Sequence, residues 1–275
     1  MIKTLFVNGC SWTEGHMLHL DSEVNKLVSE QGYVINDIFS VVKDDVEIWY
    51  PYKEIYNQYN WAGVVARELD IPNIVNYAIG AASNDRILRT TVDYVKRLTE
   101  QEKQETFIII GWTIPDRSEL YLNDKQGKAE WCSWNATQQF STIDRIHNDE
   151  FTKRIDKFWE LYVVDVFDHH PCVQKFFQQS YLLANLLEHH NIKYYFFNSF
   201  SPLFGVQDYA PFLEHFKHDI DTYATQTIAM PLNTDFFNFI GDKDELCLPD
   251  RHPNKLGHAK WAGHLLDDMR QQNII

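Results

Sequence analysis

The stretch Asp250-Arg251-His252-Pro253-Asn254 places a carboxylate two residues ahead of a histidine and fixes that histidine against a proline. A carboxylate so placed can orient an imidazole and stabilise its protonated form, which is how a general base is built. Beyond it the positions Ala259, Ala262, Leu266 and Met269 recur on one face, so the spacing predicts a helix over about 254–271, with His252 at the corner leading into it. A base needs a group to activate, and the other end of the chain offers one. Residues 2–7 form a nearly continuous apolar run, as in a strand buried on both faces, and they end in Asn8-Gly9-Cys10-Ser11-Trp12-Thr13-Glu14-Gly15. Small and turn-forming residues there predict a sharp exit that displays Ser11 at the carboxyl end of the strand, the edge at which open α/β sheets hold ligands.

The chain between these ends must bring them together. Strands are expected at 73–78, at 106–112 (TFIIIGW), at 193–198 (KYYFFN) and, shorter, at 235–240. Helical spacing runs over 57–69, where Pro72 enforces the stop, and again through Ile87, Leu88, Val92, Val95 and Leu98, with Ser83, Asn84 or Asp85 as its cap. Further helical patterns are expected at about 151–165 and 173–190. The order β-α-β-α-β with apolar strands predicts a parallel sheet covered by helices on both sides. Residues 16–55 lack periodicity and read as an irregular insertion. Residues 113–150, a polar stretch containing Trp131 and Trp134, read as a second, and residues 199–232 as a mixed aromatic region. Without repeats or a linker, one domain spanning 1–275 is the expected organisation.

At 275 residues, with 44% hydrophobic and 15% aromatic residues, the chain has material for a core of its own. A net charge of −14 argues against a nucleic-acid partner, whose phosphates require basic surface. Cys10, Cys132, Cys172 and Cys247 contain no C-x-x-C pair and suggest neither a zinc cage nor a disulfide frame. No apolar run approaches the roughly 20 residues of a membrane span, and the N-terminus turns polar at Asn8, too early for a signal peptide. The expectation is a soluble, cytoplasmic protein without a metal or other cofactor. The oligomeric state is open.

Four blocks stand in order: Gly9-Cys10-Ser11-Trp12-Thr13 after the first strand, Gly80 in Ala78-Ile79-Gly80-Ala81-Ala82-Ser83-Asn84 after the second, Gly111-Trp112-Thr113-Ile114 closing the third, and Asp250-Arg251-His252-Pro253 before the last helix. This succession resembles the SGNH (GDSL-like) hydrolase family, whose pattern is G-D-S-x-S/T, a glycine, G-x-N-D, then D-x-x-H-P. The resemblance implies a three-layer α/β/α sandwich with a mostly parallel, flavodoxin-like sheet. It also implies a serine esterase in which Ser11 is the nucleophile, His252 the base and Asp250 its orienting acid, with Ser11 and Gly80 N–H groups in the oxyanion hole. Three positions depart from the pattern. Cys10 replaces an aspartate outside the triad, and Asp250 stands two residues before the histidine instead of three. Thr113 replaces the oxyanion-hole asparagine, with Ile114 in place of the following aspartate, so Thr113 or Asn84 is expected to supply the side-chain donor.

Trp12 and Trp112 adjoin these blocks, and aromatic faces beside a cleft suit sugar rings or acyl chains; Arg117 suits a substrate anion or an ion pair with Glu119 or Glu14. The expected substrate is a small ester or acylated carbohydrate, an O-acetyl sugar foremost. Two rivals remain: a non-catalytic relative of the family serving as a binding or virion-associated structural protein, for which the insertions resemble phage-encoded members, and an acyltransferase using the same triad. Asp165, Asp168, His169 and His170 resemble a metal cluster but read as a solvated loop, since adjacent residues rarely face one site. Of His258 and His264 on the last helix, the former is expected near the site.

Overall fold

A computed structural model describes residues 1–30, 53–123, 129–135, 168–201, 235–241 and 243–275, with short pieces at 32, 34–35, 40–43, 46–49, 157 and 160–161. The chain runs β1 (Thr4–Gly9), α1 (Ser11–Glu14), a 3-10 turn (Leu18–Leu20), α2 (Ser22–Glu30), β2 (Val34–Ile35), β3 (Ser40–Lys43), β4 (Val46–Trp49), α3 (Lys53–Tyr59) and α4 (Trp61–Glu68). It continues through β5 (Asn73–Asn76), α5 (Asn84–Arg97), α6 (Glu100–Gln104), β6 (Thr106–Trp112), β7 (Arg117–Asn123), β8 (Ala129–Asn135), α7 (His169–His189) and β9 (Lys193–Asn198). It closes with α8 (Phe236–Ile240), a 3-10 turn (Asp244–Leu246) and α9 (Lys255–Gln271).

The four apolar strands pair in the order β5-β1-β6-β9, every pair parallel. Among themselves these strands run second, first, third, fourth, the flavodoxin-like winding of an α/β protein. The strand order reverses between β1 and β6, so the crevice of such a fold lies beyond their carboxyl ends. Successive side chains of a strand leave on opposite faces. Phe196 meets the Trp112 ring, which meets Phe176 of α7, whereas Phe197 meets Trp61 of α4 and Trp261 of α9. With α5 against α7 and α4 against α9, a helical layer covers each face. No helix among the described residues is long and apolar enough to cross a membrane.

Two expectations are corrected. Residues 235–240 are helical: Asp235 accepts from Asn238 N–H and caps α8, whose Phe236 and Ile240 are buried. The apolar pattern is real but belongs to one and a half helical turns. The stretch 16–55 is more regular than its pattern suggests, holding α2 and an antiparallel β2-β3-β4 sheet. In the stretch 113–150, β7 and β8 pair antiparallel from Arg117↔Asn135 to Asn123↔Ala129. The expected helix at 151–165 and the region 202–234 fall largely or wholly outside the described residues.

The α3–α4 corner carries a testable constraint. Asn60 breaks the helix expected over 57–69 into two by capping α4, its Oδ1 accepting from Gly63 N–H at 3.0 Å. A Cβ on Gly63 would lie 1.5 Å from the Asn57 carbonyl oxygen, so α3 and α4 must move apart to admit one. Gly63→Ala is therefore expected to destabilise the fold by about 1–3 kcal/mol despite alanine's better helix propensity, read as a lower urea midpoint with an unchanged slope.

Candidate active site

Ser11 begins α1 immediately beyond β1. Two features fix it there. Asn8, fully buried, offers its Nδ2 to Ile87 O, Thr90 Oγ1 and Thr91 Oγ1 on α5, while its Oδ1 accepts from Gly9 N–H. Gly15 then ends α1 in the left-handed region at φ 82°, its N–H donating to Ser11 O. A glycine suits that conformation, and a Cβ would also crowd Leu18 Cδ1 at 2.9 Å. The chain thus leaves the strand, makes one helical turn and doubles back. Ser11 is 9% exposed, and its hydroxyl has no hydrogen-bond partner among the described residues.

The loop before α9 is tied just as closely. Leu248 N–H donates to His252 O at 2.7 Å, and Arg251 N–H to Leu248 O at 2.9 Å, with Arg251 left-handed at φ 69°. Asn254 caps α9 by accepting from Gly257 N–H and reaches back with Nδ2 to Glu245 O. Within this frame Asp250 Oδ2 lies 2.8 Å from His252 Nδ1, and Asp250 Oδ1 accepts His252 N–H at 3.1 Å. A carboxylate accepts only, so Nδ1 carries the proton and Nε2 keeps its lone pair in the neutral ring. Burial pushes the Asp250 carboxyl up, but the hydrogen bonds and charge of His252, with the charge of His16, outweigh it and hold the carboxyl below its ordinary value. The two-residue spacing therefore suffices for a carboxylate–imidazole dyad.

The two ends meet. The His252 ring lies 6.1 Å, centroid to centroid, from the ring of Trp12, the residue after Ser11. Trp12, only 5% exposed, is wedged among Phe200, Phe236 and Phe237, so it holds the histidine more than it offers a face to solvent. Gly80 stands opposite: a Cβ there would point toward Glu14 Oε2 at 3.7 Å and His16 Nδ1 at 3.8 Å. Ser11, Gly80, Asp250 and His252 thus border one region at the carboxyl edge of the sheet, although no hydrogen bond joins Ser11 to His252.

Other expected members are placed differently. Trp112 is a core residue with no exposed surface, packed on Phe176 and Phe196, and is removed from the substrate-facing set. Ser83, not Asn84, caps α5. Asn84 and Thr113 close on each other: Thr113 N–H donates to Asn84 Oδ1 at 2.9 Å, and Asn84 Nδ2 donates to Thr113 O at 3.0 Å. Thr113 Oγ1 accepts from Arg117 Nη1 at 2.9 Å, and Thr113 and Asn84 are 1% and 2% exposed. They brace the mouth of β6 against α5. Arg117 also lies over Phe200, while Glu119 is held bidentately by Arg89, so the expected Arg117–Glu119 pair is not formed. Asp168 caps α7, and His169 Nδ1 lies 3.0 Å from Asp116 Oδ1; Asp165 is outside the described residues. Among the described residues no group of three His, Cys, Asp or Glu could hold a metal ion.

Sequence reasoning missed Glu14, His16 and Asn8. His16 lies 5.1 Å from the His252 ring, edge to face, and its Nδ1 is 3.8 Å from Glu14 Oε2. The spacing Glu14-x-His16 repeats that of Asp250-x-His252, a signal visible in the sequence.

The winding and this cluster define a flavodoxin-like α/β protein with a serine and two carboxylate-paired histidines at its strand-order reversal. The chain belongs to a family of unknown function (DUF6071), whose profile matches residues 41–274. No curated protein matches the sequence. Similar solved structures include TesA, at 11% identity over 99% of both chains with a TM-score of 0.48. A putative lipolytic protein of the G-D-S-L family from Desulfitobacterium hafniense DCB-2 is 14% identical over 96% of this chain and 97% of its own, with a TM-score of 0.43. The psychrotrophic esterase EstA from Pseudoalteromonas sp., in a structure inhibited by monoethylphosphonate, is 10% identical over 98% of both chains with a TM-score of 0.45.

Proposed function

We propose that this chain hydrolyses a small ester with Ser11 as nucleophile, His252 as general base and Asp250 as the acid that orients it. The observation that carries the reading is the 2.8 Å Asp250–His252 contact, held on a braced loop beside the turn that begins with Ser11. With Nδ1–H donated to Asp250, the free Nε2 takes the Ser11 proton as Oγ attacks the ester carbonyl. Asp250 then balances the imidazolium, which returns the proton to the departing alkoxide. Water repeats the sequence on the acyl-enzyme. The missing Ser11–His252 hydrogen bond is compatible with this course, since such contacts often tighten only when substrate binds. The N–H groups of Ser11 and Gly80 serve the oxyanion, Gly80 because nothing projects from it into the cleft. An O-acetyl group on a carbohydrate suits the aromatic surroundings, with Arg117 over Phe200 at the rim.

The closure of Asn84 on Thr113 favours a second reading, a binding protein of the same architecture that has given up the reaction. A fluorophosphonate probe separates the two. The hydrolase is expected to take up one probe per chain, located at Ser11 by peptide mass, and Ser11→Ala to take up none. A folded chain that leaves the probe untouched while retaining an acylated glycan would establish the binding protein instead. Release of acetate to water, against transfer to an added acceptor, tells hydrolysis from acyl transfer.

A further inference from the structure

Resting on that reading, the geometry points to the charge of the substrate: we propose that Arg117 receives a carboxylate, so that the ester this chain takes is an acylated sugar acid, or an oligosaccharide containing one, and not a neutral acylated sugar. The guanidinium is half-buried and held at two points. Its Nη1 donates to Thr113 Oγ1 at 2.9 Å, and its Cζ lies 5.7 Å from the centre of the Phe200 ring. Hydroxyl and ring fix the plane of the fork, and neither cancels its charge. Among the described residues no carboxylate pairs with it. The acids around it are committed elsewhere. Asp116, its neighbour in the chain, lies 3.0 Å from His169 Nδ1, and Glu119 is held by Arg89 at 3.0 and 2.8 Å. Asp85, which accepts the Glu119 N–H, also takes Lys175 at 2.6 Å and Gln179 at 2.7 Å. In a chain with 39 acidic against 25 basic residues, this corner keeps its acids on other partners and leaves the Arg117 charge uncancelled.

Phe200 links this cation to the candidate site. Its ring meets Trp12 at 5.3 Å, and Trp12 follows Ser11 in the chain and meets His252 at 6.1 Å. Arg117 opens β7 just beyond the carboxyl end of β6, the strand beside β1, so cation and nucleophile stand on the same edge of the sheet. Two rings separate the guanidinium from the base. The group it takes therefore belongs to a part of the ligand remote from the ester, where a contact serves ground and transition states alike and acts through KM. A planar fork of N–H donors matches a carboxylate with two parallel hydrogen bonds. The net charge of −14 repels anions at long range, so a preference for an acid has to come from a local contact of this kind.

Acetate release from two acetylated trisaccharides, one of hexoses and one of the matching hexuronic acids, tests this with wild type, Arg117→Ala and Arg117→Lys. Wild type is expected to favour the acid by about 10–100-fold in kcat/KM, mostly through KM, and Arg117→Ala to bring that ratio to about one. The ratio cancels whatever the lost contacts to Thr113 and Phe200 cost both substrates. Arg117→Lys keeps the charge without the fork and is expected to retain a preference of only about threefold. A wild-type ratio of about one, or a preference that Arg117→Ala keeps, overturns the proposal, while the acetate released leaves the esterase reading standing. Should neither trisaccharide lose acetate, equilibrium dialysis of the same two against wild type and Arg117→Ala decides the role of Arg117: it stands if the acid alone is retained, and only by the arginine form, and falls otherwise. Fluorophosphonate uptake at Ser11 then decides the parent reading separately.

Discussion

Alanine at Ser11 or at His252 is expected to lower kcat for a short-chain aryl ester by about 10⁴-fold or more, and the double variant to be scarcely worse than either. On the proposed mechanism Ser11, His252 and Asp250 act as a unit. Without the hydroxyl there is nothing for the imidazole to deprotonate, and without the imidazole the hydroxyl remains a poor nucleophile. Asp250→Asn probes the weaker member of the set. An amide in place of the carboxylate can donate to Nδ1, which favours the tautomer whose proton sits on Nε2, facing the serine it should deprotonate. The expected loss is again about 10⁴-fold in kcat, with KM nearly unchanged because no substrate contact is removed. His252 and the charge of His16 hold the Asp250 carboxyl below its ordinary value, so it stays ionised across the range in which the assay is run. Steady-state kinetics of the three single variants and the double check the set, with near-ultraviolet circular dichroism confirming that each is folded. Additive losses in the double variant would show that the residues do not work on one step.

The sequence spoke clearly where one physical requirement dominated. A strand buried on both faces must be apolar throughout, and 106–112 has this character; the strand occupies those very residues and lies at the centre of the sheet. The Asp250-x-His252 spacing was legible because the contact is local: carboxylate and ring belong to one turn of chain. What spacing could not convey were choices made by distant partners. Phe236, Phe237 and Phe239 suit a strand, but Asp235 caps them into a helix whose Phe236 stacks on Trp261 at 4.7 Å. Trp112 adjoins a candidate block, yet β6 turns it into the core against α7. Asn84 and Thr113, 29 residues apart, both look available until the fold pairs them. His16 escaped notice because its neighbour Gly80 comes from another loop and His252 from the far end of the chain.

His258 makes the second large prediction, one about stability. It lies on α9 with no exposed surface, and its Nδ1 accepts the N–H of Trp61 at 3.3 Å, satisfying one of the orphan amides that open α4. Accepting at Nδ1 requires the neutral ring with its proton on Nε2. Burial, reinforced by the charge of His252, lowers its pKa from 6.5 to about 3. The sign follows from where the proton goes. Below about pH 6.5 the unfolded chain binds a proton at His258 that the native chain refuses until about pH 3. Stability from this residue is therefore fully present above pH 6.5 and is lost as the pH falls, at up to about 1.4 kcal/mol per pH unit and about 4–5 kcal/mol in all. His258→Gln keeps a carbonyl to receive Trp61 N–H but cannot titrate. The variant is expected to be less stable than wild type at pH 8, because amide and imidazole differ in shape, yet to lose less stability between pH 6.5 and 5.5, above the range in which most carboxylates protonate. Urea unfolding of both proteins at half-unit steps of pH measures the two slopes. Parallel slopes would mean that the native state admits the proton after all, and that the α4–α9 contact opens well before the chain unfolds.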